Sequence, residues 1–85
     1  MRPFKWNDWN MAKVAAHGLS PAEVEAAFGR IVHTAARPDG SMRTRAALAS
    51  GRLIWVIWRY DREGGDIPDV FGVTPDPAIF VITAY

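Results

Sequence analysis

The sequence has no cysteine, so disulfide staples and thiolate metal sites are excluded, and the composition suits a reducing compartment. No apolar run approaches the roughly 20 residues needed to cross a bilayer, and the segment Met1 to Asn10 lacks the apolar stretch of a secretory leader. The expectation is a cytoplasmic chain with no membrane contact. Histidine is nearly absent. His17 and His33 are the only two, and neither lies in a His-x-x-x-His or Glu-x-x-His arrangement, so no metal centre is expected. The pair Gly64-Gly65 is flanked by Glu63 and Asp66 with no lysine after it, which excludes a phosphate-cradling loop. Ser20 suits a helix cap, Ser41 and Ser50 fall in turns, and none has a nucleophile-elbow sequence around it. Repeats and low-complexity tracts are absent as well.

What the chain does have is enough apolar material for one core. Its 85 residues are 49% apolar and include four tryptophans, which separates them from disordered sequences. A second core would have too few apolar side chains, so residues 1–85 are read as a single domain. The net charge of +1 conceals an uneven distribution. Residues 1–60 hold nine of the ten Lys and Arg against four acids, whereas residues 61–85 hold Arg62 against five acids. A basic body of this kind attracts polyanions; the same charges also serve as ordinary solvated faces.

Local signals outline the elements. Phe4-Lys5-Trp6 reads as a short strand, followed by a helix capped at Asn7 or Asp8 that runs to about His17. Met11, Val14 and Ala15 fall at helical spacing and define its buried stripe. Gly18 is placed to end it in the left-handed conformation. Ser20-Pro21-Ala22-Glu23 is a capping box with proline at the first helical position, and Leu19 and Val24 stand where a hydrophobic staple requires them. Val24, Ala27 and Phe28 form the stripe of this second helix, which Gly29 stops.

Strands follow. Ile31–Ala36 leads into the turn Pro38-Asp39-Gly40, and Arg43–Ala49 and Arg52–Tyr60 flank Ser50-Gly51, read as a two-residue hairpin loop. In the latter strand Leu53, Trp55 and Ile57 share one face, and Ile54, Val56, Trp58 and Tyr60 the other. Asp61–Pro77 reads as a long acidic loop, expected to lie against the basic sheet face and screen it, and Ile79–Ala84 as a last strand. The expected class is α+β: two short N-terminal helices packed on an antiparallel sheet of about four or five strands.

Chemistry then rests on the basic and aromatic residues. Asp8, Glu23 and Glu25 suit the helix surfaces and the dipole at helix N-termini rather than catalysis. Arg43 and Arg45, two apart on a strand, project from one face. Arg59 joins them if the hairpin register allows. Guanidinium groups so clustered hold RNA phosphates and stabilise a phosphorane during attack by the neighbouring 2′-hydroxyl. Equally, edge arginines keep a sheet soluble. Trp6, Trp9, Trp55 and Trp58 admit two readings too, as stacking platforms for bases or as core.

The string Phe4-Lys5-Trp6-Asn7-Asp8-Trp9-Asn10, followed by Lys13 and by His17-Gly18-Leu19-Ser20-Pro21-Ala22-Glu23-Val24-Glu25, resembles the BrnT family of bacterial toxins. Gly51-Arg52-Leu53 and Val81-Ile82-Thr83-Ala84 match in the same order. The resemblance implies a RelE-like fold and a ribonuclease toxin that needs no metal or cofactor. It also implies an antitoxin partner encoded nearby. His17 and Lys13 match the family's first-helix motif, Arg45 lies where its strand has arginine, and Arg52 matches its Gly-Arg turn; Tyr85 stands where members have arginine. Taken with the strand pattern, the candidate catalytic residues are Arg43, Arg45, Arg59 and His17, and the candidate RNA contacts are Lys13, Arg52, Trp55 and Trp58. The alternative is a catalytically silent relative that serves as a protein-binding or dimerisation module, with a second copy as its partner.

Overall fold

The computed structural model describes residues 3–61 and 78–85. Its elements run β1 (Phe4–Lys5), α1 (Asp8–Ala15), α2 (Pro21–Ala27), β2 (Ile31–Ala36), β3 (Met42–Ala47), β4 (Leu53–Asp61) and β5 (Ala78–Ala84). The strands form one five-stranded sheet in the order β1-β5-β4-β3-β2. The expected class and order of elements hold, but the sheet is mixed: β1 runs parallel to β5, with Phe4 opposite Ile79 and Lys5 opposite Phe80. A parallel pair needs a long crossover, and here everything between the two strands supplies it. Nothing in the two residues of β1 announces which strand they will join.

Both helices begin as their local sequences demand. Ser20 and Glu23 exchange side-chain and backbone hydrogen bonds, with the Glu23 N–H donating to Ser20 Oγ at 3.2 Å and the Ser20 N–H to Glu23 Oε1 at 3.1 Å. Leu19 and Val24 are both buried beside it. At α1 the cap is Asn7, and its partner is Asn10. The Asn10 N–H donates to Asn7 Oδ1 at 3.0 Å, the Asn7 N–H to Asn10 Oδ1 at 2.7 Å, and Asn10 Nδ2 to the Lys5 carbonyl at 2.9 Å. With these bonds made, Asn10 is fully buried. The expected stripe of α1 is therefore corrected. Asn10 and Val14 face inward, while Met11 and Ala15 are exposed. The helix runs to Ala15, and the chain leaves it at Gly18 as expected. Gly18, at φ 72°, donates to the Ala15 carbonyl and Leu19 donates to that of Val14, the bond pair of a Schellman motif.

One sheet face meets the helices. Val14, Leu19, Val24 and Ala27 pack with Ile54, Val56, Trp58, Val81 and Ala84. Each large apolar side chain fully buried there contributes about 1.5–3 kcal/mol. Phe28 bridges this core to β1, edge-on to Phe4 at 5.0 Å and to Trp58 at 5.6 Å.

Candidate nucleic-acid interface

Two hairpin loops decide which side chains reach the opposite face. Both have the same construction. The Arg37 N–H donates to the Ser41 carbonyl at 2.8 Å and the Leu48 N–H to the Arg52 carbonyl at 2.8 Å, each enclosing three residues. Each loop ends in a glycine with positive φ, 88° at Gly40 and 90° at Gly51, as a three-residue hairpin loop requires. The expected two-residue loop at Ser50-Gly51 is thus corrected. The difference has consequences, because a register slip of one residue moves a whole strand's side chains to the other face. A two-residue loop would set Arg45 opposite Val56 and Arg43 opposite Trp58. The observed loop sets Arg45 opposite Trp55 and Arg43 opposite Ile57.

Arg43, Arg45, Trp55, Ile57 and Arg59 consequently share the face turned away from the helix core. The Arg43 guanidinium lies 4.5 Å from the Trp55 ring centre, and that of Arg45 4.8 Å. Arg59, opposite Phe80 on β5, lies 4.8 Å from the Phe80 ring. Among the described residues, none of the three guanidinium groups is paired with a carboxylate. Cations stacked on ring faces gain roughly 0.5–1 kcal/mol at exposed sites, and their N–H groups stay free to donate.

Two rows cross this face. In one, His33 stands opposite Arg45, Arg45 opposite Trp55, and Trp55 exchanges both backbone hydrogen bonds with Tyr85 at 2.8 and 2.9 Å. The His17 ring then lies 5.8 Å from that of Tyr85. In the other, Ala35, Arg43, Ile57 and Thr83 stand side by side. Lys13 sits on α1 one turn before His17, its ammonium 5.0 Å from the Trp9 ring, and Trp9 stacks on Phe80 at 6.0 Å. Asp61, expected in the loop, ends β4 instead, where it is buried and paired with Lys5 at 2.8 Å. The rest of the acidic segment, and its expected screening role, lies outside the described residues.

Comparison of the chain with protein-family models, with curated proteins and with solved structures finds no match in any of the three.

Of the expected site residues, Arg43, Arg45, Arg59 and Trp55 are brought together, and Lys13 of α1 and His17 in the turn after it flank them. Trp58 is not among them. It lies on the helix face, 6% exposed, with its indole N–H donating to Thr44 Oγ1 at 2.8 Å, so it cannot stack a base. Sequence alternation already separated it from Trp55. Arg52 precedes β4, and its guanidinium donates to the His17 carbonyl at 3.4 Å, tying the hairpin to the end of α1. His33 and Tyr85 were missed as members of this surface. The loop centred on Asp39 carries the signal for His33, since closing that loop at Arg37 and Ser41 places His33 beside Arg45. No group of three or more His, Cys, Asp or Glu among the described residues is arranged to hold a metal ion, and none of the described helices is long and apolar enough to cross a membrane.

Proposed function

We propose that the open sheet face binds single-stranded RNA and that the chain cleaves it without a metal, as the ribonuclease toxin of a toxin–antitoxin pair. The observation that carries this reading is the placement of Arg43 and Arg45 against Trp55, with Arg59 on the same face and no described carboxylate neutralising them. An aromatic ring takes a base by stacking, and the guanidinium N–H groups beside it take the adjoining phosphates. In cleavage, the ribose 2′-oxygen bonds to the adjacent phosphorus while its proton passes to a base. The 5′-oxygen then leaves with a proton from an acid, so the products are a 2′,3′-cyclic phosphate and a 5′-hydroxyl. The arginines stabilise the phosphorane between these steps, and His17 and His33 are the candidate acid and base. The RelE-like fold and the antitoxin partner belong to the same proposal and rest on the resemblance of residues 4–25, 51–53 and 81–84 to BrnT toxins.

Binding without cleavage is the second reading, and a specific observation favours it: neither imidazole is held by a side-chain hydrogen bond among the described residues. A general acid or base held to no partner lacks the orientation that proton transfer needs.

Titration of tryptophan fluorescence with single-stranded RNA tests the binding. Three guanidinium contacts predict a log–log salt slope of about −2, and Arg43→Ala with Arg45→Ala should weaken binding by at least about tenfold. Unchanged affinity in that double variant would remove the site. Incubating labelled RNA with the protein in a chelator separates the two readings. Cyclic-phosphate ends support the nuclease, and intact RNA at saturating protein supports the binder.

A further inference from the structure

Resting on the RNA-binding reading, we infer that the strand crosses the sheet perpendicular to the β-strands, along the row His33–Arg45–Trp55–Tyr85–His17, and that the depression between α1 and β5 is a second nucleotide subsite. Two paths leave Trp55. Along β4, the next side chains on the open face are Ile57 and Arg59, and Arg59 is already stacked on Phe80, itself 9% exposed and covered by Trp9. That direction offers a cation over a ring that is itself nearly buried. Across the strands, Tyr85 is directly opposite Trp55 and 45% exposed. Adjacent strands lie roughly 5 Å apart, so the two rings form neighbouring platforms.

Beyond Tyr85 the surface dips into a shallow depression of ≈ 440 Å³ lined by Trp9, Lys13, His17 and Thr83, among others. Thr83 belongs to the arginine-bearing face, opposite Ile57, so depression and face are continuous. Lys13 supplies the positive charge there, and no described carboxylate pairs with it. A base on Tyr85 directs its phosphate toward the depression and Lys13, while Thr83 and the His17 imidazole offer hydrogen bonds to the ribose hydroxyl. The occupant is thus the nucleotide next to the one held on Trp55.

Oligonucleotide length separates this path from the site itself. Uridine 3′-monophosphate and a uridine trinucleotide are titrated against the intact chain and against variants whose circular dichroism melts match it. In the intact chain the longer RNA binds about tenfold tighter, the gain expected of one further stacked base. Tyr85→Ala and Lys13→Ala erase that gain, Tyr85→Phe retains it, and Arg59→Ala does not alter it. If Arg59→Ala erases the gain while Tyr85→Ala and Lys13→Ala keep it, the strand runs along β4 and the crossing path is wrong. Equal affinity of the two lengths in the intact chain also overturns the second subsite. Failure of the RNA-binding reading has a different signature, namely mononucleotide affinity indifferent to Arg43→Ala and Arg45→Ala.

Discussion

Trp55 and Trp58 lie three residues apart on the same strand and meet opposite surroundings. Trp58 faces the helices, edge-on to Phe28, with its indole N–H satisfied by Thr44. Trp55 faces away, and among the described residues the Arg43 and Arg45 guanidinium groups lie over its ring. The helix face closes with apolar shape and satisfied polar atoms, as seen at Asn10 and Thr44, both 0% exposed. The other face carries three arginines stacked on aromatic rings, with no described carboxylate paired to them. One strand therefore serves two purposes because its alternation is matched by its neighbours. Thr44 and Ala46 of β3 are buried with Ile54 and Val56, while Arg43 and Arg45 follow Trp55 and Ile57.

If stability resides on one face and RNA affinity on the other, substitutions should separate the two. The largest effect is expected from Trp58→Ala, which removes a buried ring and leaves the Thr44 hydroxyl without its indole donor. Urea unfolding should show a loss of about 3–5 kcal/mol, with RNA affinity preserved in whatever fraction remains folded. Asn10→Ala comes next, because it deletes one half of the reciprocal cap and removes the amide that donates to the Lys5 carbonyl. A loss of about 1–3 kcal/mol is expected in the same measurement. A smaller loss would mean that water replaces the amide and that the helix face is less closed than it looks.

Arg43→Ala with Arg45→Ala sharpens the comparison from the other side. Each stacked cation contributes roughly 0.5–1 kcal/mol at an exposed site, so the melting temperature should fall only slightly while RNA affinity falls at least about tenfold. A large drop in stability would show that these arginines chiefly shield Trp55. The smallest effect concerns Asp39 in the β2–β3 loop. Its carboxylate accepts from the Ser41 hydroxyl at 2.6 Å and from the Ser41 N–H at 2.9 Å, and Arg37 lies nearby. These bonds, the hydroxyl's first, hold its pKa below the ordinary aspartate value. A depressed folded pKa means that the loop's contribution is present above the unfolded pKa of about 3.9 and is lost as pH falls through the folded value. The acid limb of a stability–pH curve should therefore flatten slightly in Asp39→Asn. An unchanged limb would show the loop to be indifferent to this charge.

The elements most legible in the sequence are those whose causes lie within a few residues. The capping box at Ser20 and Glu23, the staple of Leu19 and Val24 and the left-handed Gly18 all appear as expected, since each bond joins near neighbours. The candidate site was legible in part. Arg43, Arg45 and Trp55 were identified by type and by alternation, but their meeting depends on the loop at Ala49, Ser50 and Gly51 being three residues long. His33 enters the row through the register that the Asp39 loop sets, and Tyr85 through a pairing with a distant strand that no local pattern marks.

By itself the sequence determined the two capped helices, the alternation along β4 and the chain order of the strands, because these follow from backbone geometry acting over one or two turns. Only the tertiary structure decided that β1 lies parallel to β5, that Asn10 rather than Met11 turns inward, and that three arginines and Trp55 share a surface. Those outcomes hinge on long-range pairing, where a slip of a single residue exchanges the two faces of a strand, and no short window of residues carries that information.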